Sequence, residues 1–366
     1  MKKSTTEEVK RALTKRSSVR RSGTMLSTGS TLLNMATSNS WRGGLETGHY
    51  YFFVGDSSSG KTFLTLTCFA EASINKQFDN HRLIYDDVEG GALMDFAKFF
   101  GQQVADRVEP PAGTKEDPEY SQHVEEFYFN LDTVLSAGKP CIYVLDSMDA
   151  LSSAYEQKKF VEKKKASEKG TEAKGDYGDG KAKINSSALR ACIPKLRDTN
   201  SILIIVNQTR DNINAGLFES KKTRSGGHAL TFYATLELWS SVGSPIKRAI
   251  RGKDRVIGTT SHIKVKKNRL TGRNRSVYVP IYYEYGIDDV GSCVDYLVSE
   301  GTWKKNKAGT ITAAGLGDED DLALKRLQLI KHIEDNDLVT DLRMLVQSTW
   351  HAIEKACSMG RKPRYE

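Results

Sequence analysis

Cysteine is scarce in this chain and poorly placed for chemistry. The five cysteines, Cys68, Cys141, Cys192, Cys293 and Cys357, are odd in number and form no C-x-x-C pair. A disulfide framework and a zinc ribbon are therefore not expected. The seven histidines contain no H-E-x-x-H spacing, which removes a helix-borne zinc protease signature. No apolar run reaches the roughly 18 residues of a membrane span. The N-terminus is charged and lacks an apolar core segment, so it does not read as a secretory signal. A cytoplasmic protein with no membrane partner is the expectation. Internal repeats are also missing. What remains is a 366-residue chain, 38% hydrophobic, with a formal charge of +8. That content suffices for one large α/β domain with appendages, and the positive excess suits an anionic partner.

The chemistry begins at Gly55-Asp56-Ser57-Ser58-Ser59-Gly60-Lys61-Thr62. This G-x-x-x-x-G-K-[ST] run follows an apolar aromatic stretch, Tyr50–Val54, and precedes a helix-like stretch, Phe63–Thr67. Strand, loop and helix are the context in which such a loop binds a nucleoside triphosphate. Its glycines let backbone N–H groups converge on phosphate oxygens at a helix N-terminus. Lys61 is placed to reach the β and γ phosphates, and the Thr62 hydroxyl to ligate Mg²⁺. The motif is silent on what the energy drives.

Residues 1–24 form a basic arm, in which Thr5-Thr6-Glu7-Glu8 reads as a capping box for a short helix through Val9, Ala12 and Leu13. Docking on a neighbouring subunit, touching nucleic acid and forming a disordered tail are its three readings. From 25 to 285, strand-like runs at Tyr50–Val54, Arg82–Tyr85, Cys141–Leu145 and Ser201–Val206 alternate with helix-like segments such as Ala92–Phe100 and Ser187–Arg197. The pattern predicts an α/β fold with a doubly wound, largely parallel central sheet and a ligand at the carboxyl ends of its strands. Two loops interrupt it. Residues 156–183 are rich in Lys, Glu and Gly, and residues 209–227 are basic and glycine-bearing; structureless stretches of this length are functional or disordered. Residues 286–366 form a small C-terminal domain, α/β or helical. There Asp318-Glu319-Asp320-Asp321 is expected to open a helix through Leu327, Ile330 and Ile333. A second helix carries Leu338, Leu342, Leu345, Val346, Trp350 and Ile353 as ordinary core.

Three further strand ends carry polar groups. Ile142–Asp146 ends in the acid that orients Mg²⁺ with Thr62 in a P-loop enzyme. Leu83–Tyr85 runs into Asp86, Asp87 and Glu89, one of which is the natural base for an attacking water. Ile204–Val206 ends in Asn207-Gln208, where spacing alone does not choose between a γ-phosphate contact and a local loop bond.

Together the pieces resemble the RecA family of homologous recombinases. The resemblance rests, in order, on Ser27-Thr28-Gly29-Ser30 with Leu33, Gly55–Thr62, Asp146-Ser147, Asn207-Gln208-Thr209-Arg210, Gly226-Gly227-His228-Ala229-Leu230-Thr231-Phe232-Tyr233-Ala234 and Lys264-Val265-Lys266-Lys267-Asn268-Arg269. It spans about Met25 to Val298. It implies a RecA-type core using ATP and Mg²⁺, filaments of this chain on single-stranded DNA, and strand exchange with duplex DNA in recombination and repair. It implies Glu89 as catalytic glutamate and Gln208 as the link from γ-phosphate to the second DNA loop, 209–227. Arg210 and Ile213 fall at DNA-contacting positions of that loop, which ends in Gly226-Gly227. Ser186 and Arg190 fall on the helix after the first DNA loop, 152–183. Lys267 and Arg269 match a basic pair that reaches ATP held by the next protomer, and Phe232 an interface aromatic. A single-strand-binding protein or loading mediator is an implied partner, and for a viral member the compartment is the host cytoplasm.

The chain departs from the family in three places. The segment Glu89–Asp95 is longer, which puts the adenine contact in doubt; the first DNA loop is longer and lysine-rich; and His228 replaces an asparagine. Two other readings stand beside the recombinase. One is a regulatory paralogue without strand exchange. The other is a ring helicase, which the Gly226–Ala234 and Lys267–Arg269 segments disfavour.

Overall fold

The computed structural model describes residues 23–168, 180–211, 222–224, 226–317 and 322–361. The expected helix of the N-terminal arm and Ile213 lie outside them. A short pair, β1 (Met25–Leu26) and β2 (Leu45–Glu46), brackets α1 (Thr31–Ser38). Then come β3 (His49–Gly55), α2 (Lys61–Ile74), β4 (Arg82–Asp87), α3 (Phe96–Phe100), α4 (Gln102–Arg107), β5 (Val108–Glu109) and the small pair β6 (Ala112–Gly113) and β7 (Pro118–Glu119). The middle of the chain forms α5 (Val124–Ser136), β8 (Cys141–Asp146), α6 (Ala154–Glu168), α7 (Gly180–Asp198), β9 (Ile202–Asp211), β10 (Lys222–Arg224) and α8 (His228–Tyr233). Two long strands, β11 (Leu236–Ile250) and β12 (Lys253–Asn268), precede β13 (Ser276–Tyr282), β14 (Gly286–Ile287) and α9 (Asp289–Ser299). The chain closes with a three-stranded sheet, β15 (Lys304–Lys305), β16 (Thr310–Ala313) and β17 (Leu322–Lys325), and the helices α10 (Arg326–Asp335) and α11 (Val339–Ala356).

One large sheet runs in the order β14-β13-β12-β11-β3-β9-β8-β4-β5, with β10 paired to β9. From β11 to β5 every pairing is parallel. Side chains alternate between two apolar cores. Tyr50, Phe52 and Val54 join Tyr143, Leu203 and Ile205 under α5 and α7. Tyr51 and Phe53 join Val144, Ile204 and Val206 under α1 and α2. Burial of both faces is what a parallel sheet requires, and it explains why these strands read as unbroken apolar runs. The doubly wound fold is the one expected.

Several local expectations need correcting. Residues 154–168 are helical, not a structureless loop, as are residues 180–183 at the start of α7. Ser153 and Glu156 cap α6 reciprocally: Glu156 N donates to Ser153 Oγ at 3.2 Å, and Ser153 N to Glu156 Oε2 at 2.6 Å. The helix itself has almost no apolar stripe, only good helix formers such as Lys, Glu and Gln. The helix-like run from Ala92 shortens to Phe96–Phe100, because Asp95 caps it by accepting from Lys98 N at 3.0 Å. The frame of the 209–227 loop is a β-hairpin, since β9 continues to Asp211 and pairs with β10. The acids at 318–321 lie outside the described residues. The helix they were expected to open starts only at Arg326, after β17, with no acid in its first turn. Its buried residues are Leu329 and Ile333, while Leu327 is exposed.

Asp289 ties the last helix to the first. Its carboxylate accepts from Thr31 N at 2.6 Å and Thr31 Oγ1 at 2.9 Å, at the start of α1, and from Arg343 Nη2 of α11 at 2.8 Å. Removing it strands a largely buried guanidinium beside α1. Asp289→Ala should cost about 2–4 kcal/mol, read as a lower urea midpoint at unchanged slope. An unchanged midpoint would show that Arg343 is satisfied without this carboxylate.

Candidate nucleotide and DNA site

Four strands deliver polar residues to one rim: β3 at Gly55, β4 at Asp87, β8 at Asp146 and β9 at Gln208. Register places Gly55 beside Gln208 and Asp87 beside Asp146. Gly60 turns the loop into α2 at φ +86°, where a Cβ would lie 2.7 Å from Ile281 Cδ1, so glycine is required there. It caps α2 without a side-chain bond, which leaves first-turn N–H groups for an anion. Ser59 anchors the loop from behind: its Oγ lies 2.7 Å from Ser240 Oγ, and its carbonyl accepts from Ser261 Oγ at 2.7 Å. Ser57 and Ser58 stand exposed at the lip. Lys61 is folded inward, 8% exposed, donating to the carbonyls of Gly55 at 3.0 Å and Asp56 at 2.7 Å. Burial pushes its pKa down, against the pull of Asp146 and Glu89. Phosphate oxygens offer this ammonium stronger partners than two carbonyls do.

Thr62 Oγ1 donates to Asp146 Oδ2 at 2.6 Å, and Tyr85 OH to the same oxygen at 3.1 Å. Burial pushes the Asp146 carboxyl up, and the Thr62 bond opposes this. A hydroxyl beside a carboxylate, with no larger cluster of metal-ligating side chains among the described residues, fits Mg²⁺. That ion takes few protein ligands and draws the rest from phosphates and water. Sequence reasoning did not single out Tyr85, because a tyrosine inside an apolar strand reads as core.

The three acids after β4 separate by environment. Asp86 is buried and accepts from Ser121 N at 3.0 Å, Ser121 Oγ at 2.6 Å and Tyr143 OH at 2.9 Å; it is structural. Asp87 accepts from Gly91 N at 3.1 Å and Ala92 N at 3.3 Å, which closes the lengthened turn. Glu89 stands at the rim and accepts from Ser147 Oγ and, at 3.1 Å, from Gln208 Nε2. Gln208 N in turn donates to Asp149 Oδ2 at 2.5 Å, and Asp149 Oδ1 lies 3.6 Å from Arg210 Nη2. Asp149 is a second residue that spacing did not reveal.

The remaining predicted positions divide. Gly226 and Gly227, at φ +85° and +80°, pack against α7: a Cβ on Gly227 would lie 2.7 Å from Ala182 Cβ, and Asn185 Nδ2 donates to Gly226 O at 3.0 Å. Ser186 is half-buried one turn before exposed Arg190, whose Nε donates to Tyr233 OH at 3.3 Å. Arg210 is exposed on the hairpin. Lys267 and Arg269 are not brought to this rim. They bond the last carbonyls of α8: Lys267 Nζ to Thr231 O at 2.5 Å and Phe232 O at 2.8 Å, Arg269 Nη2 to Phe232 O at 2.7 Å. Between them Asn268 is buried and shapes the turn, donating to Thr37 O at 2.9 Å and accepting from Leu270 N at 2.9 Å. Phe232 is 63% exposed.

Fold and rim together define a P-loop nucleotide-binding protein of the doubly wound class. The RecA N-terminal domain model matches residues 6–288. The Protein RecA of Cereibacter sphaeroides is 30% identical over 272 residues, covering 72% of this chain and 68% of its own. That of Gluconacetobacter polyoxogenes is 31% identical over 292 residues (78% and 72%), and that of Thioalkalivibrio sulfidiphilus 29% over 289 (77% and 73%). The chain belongs to the RecA family, a family of ATP- and DNA-binding proteins of recombination and repair. No helix among the described residues is long and apolar enough to cross a membrane.

Glu89 is the exposed acid of this rim, and we propose it as the base for an attacking water. Glu89→Gln should lower kcat for ATP hydrolysis by about 10²–10⁴-fold while nucleotide still binds. Steady-state turnover and nucleotide affinity measured together check this, and unchanged turnover would remove Glu89 from the role of base.

Proposed function

We propose that the chain is a DNA-dependent ATPase that assembles as a filament on single-stranded DNA and catalyses homologous pairing and strand exchange with duplex DNA, in the cytoplasm. One observation carries the reading. β9 presents Gln208 to Glu89 and then continues as Thr209 and Arg210 into the hairpin with β10. The nucleotide rim and the second DNA loop thus share one backbone, so ordering either biases the other.

In this reading Glu89 orients and deprotonates the attacking water, and Gln208 reports the γ-phosphate to the loop. Lys61 follows the transferring phosphoryl oxygens. Mg²⁺, held by Thr62 and by Asp146 directly or through water, neutralises phosphate charge. Ser186, Arg190, Arg210, Ile213 and the Gly226-Gly227 turn belong to the DNA surface. Lys267 and Arg269 serve the neighbouring protomer's nucleotide, across an interface that includes Phe232. Residues 1–24 serve oligomerisation, 25–285 form the ATPase core and 286–366 a small C-terminal domain. A single-strand-binding protein or loading mediator is the expected helper.

ATP hydrolysis with and without single-stranded DNA, at rising salt, tests the proposal. Strong stimulation is expected, with DNA affinity falling at a log–log slope of about −0.7 per phosphate neutralised. Hydrolysis indifferent to DNA would overturn it. The regulatory-paralogue reading would then gain, since lysine-rich α6 leaves Phe160 exposed, where a protein partner could cover it. A joint-molecule assay separates the two, because the paralogue alone gives no product.

A pH profile probes the basic pair. Burial, with Arg269 alongside, pushes Lys267 down to about 8. As pH rises through that value the ammonium becomes neutral and loses its hold on phosphate charge. Phosphate charge beside the ammonium raises its pKa again, so DNA-stimulated turnover should fall at a pH above 8, and Lys267→Arg should move that limb upward, since arginine stays charged. A limb that does not move would place its origin elsewhere.

A further inference from the structure

A tyrosine buried in an apolar core carries a hydroxyl that has to find a partner. Tyr85, on β4, is 4% exposed and belongs to the core under α1 and α2. Register sets it opposite Val144 of β8, and so diagonal to Asp146, two residues further along on the same face. A phenol is long enough to span that diagonal, and its OH donates to Asp146 Oδ2 at 3.1 Å. Phe96, the first residue of α3, meets the Tyr85 ring edge-on, with 6.3 Å between centroids. The carboxylate of Asp146 is therefore steered from two sides. Thr62 Oγ1 of α2 donates to the same Oδ2 at 2.6 Å. A hydroxyl has one hydrogen and two lone pairs. With its hydrogen committed to Asp146, Thr62 has its lone pairs turned by wherever that carboxylate stands, and those lone pairs are what it offers Mg²⁺.

Resting on the ATPase reading, we propose that Tyr85 is a positioning residue for the metal: it fixes the Asp146 carboxylate, and through it the Thr62 hydroxyl, in the orientation that holds Mg²⁺ with the nucleotide. Groups that hydrogen-bond a metal's ligands orient them, and losing one typically lowers metal affinity about 10–100-fold. The same sheet supplies its own comparison. Tyr143, on β8, donates its OH to Asp86 Oδ2 at 2.9 Å, and its ring belongs to the opposite core, under α5 and α7. Two buried tyrosine–carboxylate bonds of one kind thus lie on the two faces. The first continues to Thr62 on the phosphate-loop helix. The second ends at Ser121, whose N and Oγ donate to Asp86. A loss of sheet packing would follow from removing either hydroxyl, whereas a change in metal binding would follow from removing that of Tyr85 alone.

The test is the affinity of a labelled non-hydrolysable ATP analogue, read by fluorescence anisotropy, in EDTA and across a Mg²⁺ titration. No hydrolysis enters the measurement. Mg²⁺ should tighten the analogue on the unaltered chain. Tyr85→Phe keeps the ring and removes only the hydroxyl. It should raise the Mg²⁺ concentration at half effect about 10-fold or more, with the affinity in EDTA unchanged. Tyr143→Phe should leave both quantities as they are. In an Asp146→Asn background Tyr85→Phe should add little, as for members of one network. Thermal midpoints of the variants check that each is folded. An unshifted Mg²⁺ midpoint in Tyr85→Phe, an equal shift in Tyr143→Phe, or a weakening in EDTA as large as that in Mg²⁺ overturns the positioning role and leaves the ATPase reading standing. Analogue binding that Mg²⁺ does not strengthen on the unaltered chain overturns the metal site on which both rest.

Discussion

The parallel ladder between β3 and β9 is the contact on which the rim depends. It runs from His49 opposite Ile202 to Gly55 opposite Gln208, so the phosphate loop leaves one strand beside the amide that ends the other. A slip of one residue would shift Gln208 by about 3.3 Å along the ladder. Its bond to Glu89, now 3.1 Å, would pass out of hydrogen-bonding range. The slip would also exchange the two faces of each strand, moving Phe52 and Phe53 into each other's cores. Packing on both faces thus sets the register, and the register sets the chemistry.

Acids crowd this rim, and their neighbours decide what each can do. Asp86 is saturated by two hydroxyls and an amide, Asp87 closes a turn, and Asp149 and Asp56 hold cations of the hairpin. Asp146 shares one oxygen between Thr62 and Tyr85. Glu89 differs in standing exposed with two side-chain donors at one oxygen. An acid buried among fixed donors is poorly placed to exchange protons with a substrate water; one at the rim, steered by a serine and an amide, is well placed. The same residue type supplies scaffold and, under the proposed function, metal orientation and base, according to burial and partner.

Much of this was legible in the chain. The doubly wound core was readable because β3, β8 and β9 are buried on both faces and so carry unbroken apolar runs. The loop and Thr62 follow from a motif whose backbone chemistry needs those residue types at that spacing, and Asp146 from an apolar strand that ends in an acid. The helical character of 154–168 was missed because composition, not periodicity, makes that helix; the Ser153–Glu156 capping pair was its one local signal. Tyr85, Asp149 and the Asp56–Lys222 pair were out of reach for a different reason. Each acts across elements far apart in sequence, as Asp56 and Lys222 do, and nothing local distinguishes them. Asn268 looked like one letter of a basic motif, whereas its buried amide shapes the turn that carries Lys267 and Arg269.

That turn also explains why the basic pair has no role at its own rim. Arg269 N bonds Thr235 O, and Thr235 N bonds Tyr50 O, near the start of β3. Gly55 lies five residues further along that strand, about 17 Å at ordinary strand rise. The pair therefore sits toward the end of the sheet opposite the phosphate loop, held by carbonyls of the short helix that exposes Phe232. Under the proposed filament, a neighbour packing on Phe232 would bear on the very carbonyls that occupy Lys267 and Arg269. Contact between protomers and delivery of cations to the next nucleotide would then be one event, and a site out of reach of its own Lys267 and Arg269 would turn over only where the chain has assembled.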